Sequence, residues 1–380
     1  MTLRIKALSV AALCVATGAY AADPTVTGVN VFATGGAVSA TQPDSITTGD
    51  GSVWVEYGNG AVSTGGSGAS TIVQYSTSGA IEHTYSIAGL VDGLKFNPVT
   101  GIVWTLQNND GNSTLSLINP ATRVVSAPLS YAAPPYVYGA SSGRGYDDVA
   151  FLNGKVYLSY SNPANPADPV LQVLNQGNTP SGTLTTTSIL SAQQTNPLYT
   201  SSSQNPPDID SLKSTPNGKL VLTSEGDGLG APWATSDGRF TLISDPGTAQ
   251  QTVTNVRVTN SAGVNVNGMD DVLFPGATAG TLYVTDTGSN KVYAIHLTGL
   301  DPNTPIISLG SFDEVALVNP VTGVVEAPLL TGLKSVHGLD FVAAPEPSTW
   351  ALLLLGVAGL ATVGTCRRNS GAAPRLTAAG

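Results

Sequence analysis

A chain of 380 residues with 41% hydrophobic content can bury a sizeable core, but only 11% of it is charged, and its 43 glycines and 25 prolines favour strands and turns over helices. Between Asp23 and Ala343 stand 10 basic and 24 acidic residues, a net charge of −14, which argues against nucleic acid or an anionic membrane surface as partner and for cations, metal ions or neutral surfaces. The two cysteines, Cys14 and Cys366, lie in terminal hydrophobic segments, so the body has neither a disulfide frame nor thiolate chemistry.

Residues 1–21 carry Arg4 and Lys6, an apolar run from Ala7 to Ala16, and Ala19-Tyr20-Ala21 as a small-x-small site. This predicts a secretory signal peptide cut before Ala22, outside the fold. Residues 25–32 then read as a strand without an inner partner of their own. From Asp44 onward one frame recurs: an acid, a short apolar run, a glycine turn and a second β-prone run. It appears at Asp44 with Gly51 to Trp54, at Asp92 with Gly101 to Trp104, at Asp147 with Gly154 to Tyr157, and at Asp210 with Gly218 to Val221. Its fullest form is Met269 to Ile295, read as an inner strand, a turn, a second strand, a polar loop and a third strand. A sixth opening, His337-Gly338-Leu339-Asp340-Phe341, has no second half.

Spacings of 50, 53, 64 and 62 residues between Gly51, Gly101, Gly154, Gly218 and Gly280 suit repeats of about four strands. The expectation is an all-β propeller over residues 22–343. The strand at His337 would join the N-terminal strands in one composite blade and close the ring. That makes six blades. Seven stay open, because Asn319-Pro320-Val321-Thr322-Gly323 repeats Asn97-Pro98-Val99-Thr100-Gly101. The polar stretch from Asn162 to Pro207 is expected to hold outer strands of the third blade and long loops.

At Pro345-Glu346-Pro347-Ser348-Thr349-Trp350 the composition changes. Trp350 to Cys366 is 17 residues without a charge, followed by Arg367-Arg368, which predicts a C-terminal transmembrane helix over 350–366, short but able to span a thin bilayer. The Pro-Glu-Pro motif (Pro345, Glu346, Pro347), the short apolar span and the arginine pair closely resemble the PEP-CTERM sorting tail of Gram-negative bacteria. The resemblance covers residues 344–368 and departs from the usual pattern in continuing through 369–380. It implies recognition by an exosortase-type transpeptidase, transient anchoring in the inner membrane, removal of the tail, and delivery to the cell surface or extracellular matrix, often beside exopolysaccharide export. The body, especially Leu282 to Val292, resembles NHL and lactonase-like six-bladed propellers. That is a likeness of fold and transfers no activity.

Aligning the repeats places Asp44, Asp92, Asp147, Asp210, Asp270 and His337 at one position before each inner strand, where they should ring one mouth of the central channel. Asp148 and Asp271 thicken the ring, and loops carrying Glu56, Asn109, Asp110, Glu225, Asp227, Asp286 and Asn290 should share that face. Three readings stand. The first is turn scaffolding, each Asp accepting backbone N–H bonds to hold neighbouring blades. The second is a metal site for a hard cation such as Ca²⁺. The third is the centre of a metal-dependent hydrolase, lactonase-like or phytase-like, although no catalytic spacing stands out. The expected function is an exported binding or matrix protein, exopolysaccharide-associated, with the hydrolase as the alternative. Gly139 to Gly143 matches GxSxG but lacks the strand-to-helix context and reads as a loop. Trp54, Trp104, Tyr157 and Tyr283 recur at one strand position and read as core between blades.

Overall fold

A computed structural model describes residues 24–132, 144–202, 206–227 and 237–345, save the side chains of residues 226, 227, 237 and 327. The segment expected to be a signal peptide, the GxSxG loop, the Asp227 side chain and the sorting tail with its apolar span lie outside these. Among the described residues no helix is long and apolar enough to cross a membrane.

Six antiparallel sheets make six blades. The first runs from its inner strand Pro43–Gly49 through Ser52–Tyr57 and Ala69–Ser76 to Ile81–Ala88. The second has Val91–Asn97, Ile102–Gln107 and Thr114–Asn119, with two short outer pieces. The third has Tyr146–Leu152, Lys155–Tyr160, Pro169–Leu174 and Thr186–Ser191. The fourth has Ile209–Ser214, Leu220–Asp227, Asp237–Ser244 and Thr252–Arg257.

The last two blades depart from the simple repeat. The inner strand Met269–Leu273 does not pair with Ala279–Asp286 that follows it; its partner is Ile306–Leu309, continued outward by Glu314–Val318 and Val325–Thr331. Ala279–Asp286 and Lys291–Thr298 belong instead to the closing blade, whose inner strand is Val336–Ala343 and whose outermost strand is Thr25–Thr34. The stretch Met269 to Ile295 is therefore shared between two sheets, and His337 does have a second half, supplied from earlier in the chain. The second Asn-Pro-Val-Thr-Gly turn lies between outer strands of the fifth blade, so no seventh blade forms. Chain closure occurs as expected, with the first and last strands in one sheet.

Alternating apolar residues on each strand face neighbouring blades, and the core divides into six clusters, one per interface. Trp54, Ile72 and Tyr85 of the first blade pack on Val91, Leu94 and Val103 of the second. Tyr283, Val292 and Ala294 of the closing blade pack on Ile46, Val53 and Val55 of the first. Trp54, Trp104, Tyr157 and Tyr283 are all buried in these interfaces.

Candidate functional site

Each inner strand carries one extra residue relative to its neighbour near its start. Pro43 and Ile46 face Tyr57 and Val55, Tyr146 and Val149 face Tyr160 and Leu158, and the same slip recurs in all six blades. Such a bulge re-aims a side chain out of the sheet's alternation. The second residue of each inner strand sits in this bulge: Asp44, Asp92, Asp147, Asp210, Asp270 and His337. They stand inside the strands, not before them.

The amide freed by each bulge needs a partner. Hydroxyls of the second strand supply it: Asp148 N–H donates to Ser159 Oγ at 2.8 Å, Ser211 N–H to Thr223 Oγ1 at 2.9 Å, and Asp271 N–H to Ser308 Oγ at 2.8 Å. In the closing blade Thr285 holds the matching place and donates to Asp44 O at 2.6 Å. The first blade has Glu56 there. Glu56 is fully buried with Ser70 beside it but without a close hydrogen bond among the described residues, and burial followed by the nearby Asp44 pushes its carboxyl well above the usual range.

One residue further along, the acids have a different role. Asp148 Oδ2 accepts from Leu212 N–H of the next blade at 3.0 Å and from Lys95 Nζ at 3.0 Å. Asp271 Oδ2 accepts from Leu339 N–H at 2.7 Å and from Lys213 Nζ, and its Oδ1 from Ser211 Oγ at 2.5 Å. Asp340 Oδ2 accepts from Thr48 N–H at 2.5 Å. Blade-to-blade latching, which the sequence suggests for the first acids, belongs to these second ones. Lys213 also donates to Leu339 O, so this layer reaches from the fourth blade past the fifth to the closing blade and lies between a cavity of about 40 Å³ under the ring and one of about 190 Å³ beyond it.

The ring itself is short of positive charge. His337 Nδ1 lies 2.8 Å from Asp270 Oδ1 and 3.3 Å from Asp44 Oδ1. The Asp270 carboxylate, aided by Asp44 against the cost of burial, holds the imidazole protonated, its pKa pushed up to about 12. His337 is thus the ring's own cation and must lose a proton to become a metal ligand. Among the described residues no such ion pair serves the far side. Asp92, Asp147 and Asp210 are pushed well above the ordinary carboxylate range by burial and then by neighbouring acids, and Asp147 Oδ2, with Ser161 beside it, is buried without a close hydrogen bond among the described residues. Glu225, missed as a ring member because it lies on a second strand, comes within reach of Asp210 and Asp270. Burial and then Asp270 raise its pKa to about 7. Ligand atoms of Asp210, Glu225 and Asp270 lie within 4.8 Å of one another, as do those of Asp44, Asp270 and His337. Asp92 and Asp147 complete the ring without entering either group. Asp286 caps a turn, accepting from Ser289 N–H at 3.3 Å and Lys334 N–H at 3.1 Å, and Asn290 donates to Ala40 O at 3.0 Å.

This is a six-bladed propeller with a carboxylate-ringed mouth, and the chain carries the PEP-CTERM protein-sorting motif at residues 343–368. That motif implies export, a surface-directed sorting signal and processing by an exosortase. No curated protein sequence matches the chain. Similar solved structures include the periplasmic gluconolactonase PpgL of Pseudomonas aeruginosa, 12% identical over 80% of this chain and 89% of that one, with a TM-score of 0.44. The α-L-arabinanase of Penicillium chrysogenum, solved with arabinobiose, is 14% identical over 78% and 83%, with a TM-score of 0.44. A protein of Lactobacillus plantarum is 11% identical over 79% and 88%, with a TM-score of 0.45. Likeness at this level carries no activity to this chain.

Proposed function

We propose that this exported propeller is a surface or matrix binding protein whose mouth takes a hard divalent cation of the Ca²⁺ type. Asp210, Glu225 and Asp270 would be its nearest ligands, with Asp44, Asp92, Asp147 and His337 closing the ring. The cation would present open coordination positions to a neutral, hydroxyl-rich partner such as an exopolysaccharide. The observation that carries this reading is the contrast between two adjacent layers. The second acids are bonded to backbone amides and lysines, whereas the ring acids Asp92, Asp147 and Asp210 face mainly other carboxylates, and Asp147 Oδ2, with Ser161 beside it, makes no close hydrogen bond among the described residues. Buried carboxylates without compensation are costly, and a bound cation supplies the missing charge.

A metal-dependent hydrolase is the second reading, favoured by Glu225. A carboxyl with a pKa near 7 beside a candidate metal site is suited to passing a proton. Retention on immobilised neutral polysaccharide and turnover of lactones and phosphoesters, each with Ca²⁺ and with EDTA, separate the two. Binding predicts EDTA-sensitive retention, reduced by Asp270→Asn, with no turnover. EDTA-sensitive turnover lost in Asp270→Asn would replace binding by catalysis, and neither activity would sink both.

A further inference from the structure

The two ends of the body leave the closing blade at one end. Thr25 pairs with Thr298, Thr298 with Ala279, and Gly280 with Ala343, while Ala344 N–H donates to Ala279 O at 2.9 Å. The inner strand Val336–Ala343 starts at the ring, with His337, and runs away from it. The described chain therefore ends on the face opposite the acidic mouth, beside the channel axis.

We infer that this lower face is the protein's membrane-facing surface while the tail is attached, and that the carboxylate mouth is held outward. The inference rests on the reading of residues 350–366 as the segment that enters the bilayer. Reach decides it. From Ala344 to Trp350 the chain can extend at most about 22 Å, at about 3.6 Å per residue. To turn the mouth to the membrane, the tail would have to cross three strand spacings, about 14 Å, and then climb the blade's eight-residue strands, about 23 Å. The shorter route, through the channel, would have to thread past the paired side chains of Lys95, Asp148, Lys213 and Asp271.

Charge and polarity agree with that direction. The loops at the lower ends of the inner blade strands carry Lys155 and Lys219 against Asp50 and Asp301, a balanced set that anionic headgroups neither attract nor repel strongly. The ring on the other face is the part such headgroups would reject. Val99, at the tip of the lower turn Asn97 to Gly101, is 67% exposed, and its turn is held by Asn97 Oδ1 accepting from Val99 N–H at 2.9 Å. An apolar tip on a rigid turn suits the headgroup boundary.

The cysteine-free body allows a direct test. In the full chain with Cys14→Ser and Cys366→Ser, one cysteine is placed at the lower turn, Val99→Cys, or on the mouth side, Phe312→Cys; Phe312 is 49% exposed. Each protein is reconstituted in phosphatidylcholine vesicles with and without phosphatidylglycerol, washed with alkaline carbonate, and labelled with a bulky polyethylene-glycol maleimide. The expected result is severalfold slower labelling of Val99→Cys in vesicles than in detergent, with Phe312→Cys labelled at its detergent rate. Equal slowing of both, slowing of neither, or slowing of Phe312→Cys alone would overturn the orientation. Loss of the protein in the carbonate wash would instead overturn the tail as anchor, and the orientation with it.

Discussion

Asp147 and Asp148 are neighbours in sequence, both buried, and they do opposite things. Asp148 receives two amide bonds and a lysine, whereas Asp147 faces other carboxylates. Asp270 and Asp271 repeat the division: Asp271 is held below the usual carboxylate range by Lys213 and Lys95, which outweigh its burial, while Asp270 is raised by burial despite His337. Substitutions should therefore move stability in opposite directions. Asp271→Asn strands Lys213 and is expected to cost about 3 kcal/mol, read as a lower urea midpoint whether or not metal is present. Asp147→Asn removes a repelling charge and is expected to raise the midpoint in EDTA. The acidic pairs were legible in the sequence. Their division of labour was not, because it depends on which side of a bulge each residue falls.

At the scale of the element, the six inner strands and their common acid position could be read from the recurring frame, since an apolar run closed by a glycine turn survives any outer-strand variation. The bulge could not, because one inserted residue leaves that local signature intact. Its trace is the residue after the ring position: Ser45, Gly93, Asp148, Ser211, Asp271 and Gly338. Each is short or makes a bond to the next blade. At Gly338 an added Cβ would lie 2.5 Å from Asp44 O and 3.1 Å from Ile46 N, both backbone atoms. Gly338→Ala should cost about 2 kcal/mol through overpacking, whereas Gly36→Ala, with open space around it, should change the urea midpoint little.

For the whole molecule, six blades followed from repeat length and from complementary fragments at the two ends. The exchange between the last two blades did not. Pro275 to Gly280 has every mark of a hairpin turn, and only the pairing of Met269–Leu273 with Ile306–Leu309 shows that the chain passes to the neighbouring sheet. Sequence-adjacent strands are spatial neighbours only about two-thirds of the time. Because of the exchange, the final blades cannot separate without breaking strands drawn from residues 25–34 and 269–343 together. The ring sits at the centre of this closure, so its charge is felt in global stability.

That makes thermal unfolding the most direct measurement of the cation site. Carboxylates with raised native pKa bind more protons folded than unfolded, so without metal the midpoint should fall as pH rises from the ordinary carboxylate range through about 7, where Glu225 titrates. The raised His337 pKa adds a loss of the same sign at higher pH: its contribution is fully present below about 6.5 and is lost as pH rises from there through about 12. The midpoint would be recorded in EDTA and across a calcium series at about pH 5 and about pH 8. Calcium at about 100 times its Kd should add roughly 2.7 kcal/mol, a rise of several degrees. The rise should be larger at the higher pH and absent in Asp210→Asn with Asp270→Asn. A midpoint that ignores both EDTA and calcium at the higher pH would contradict the cation site and leave the ring without its proposed role.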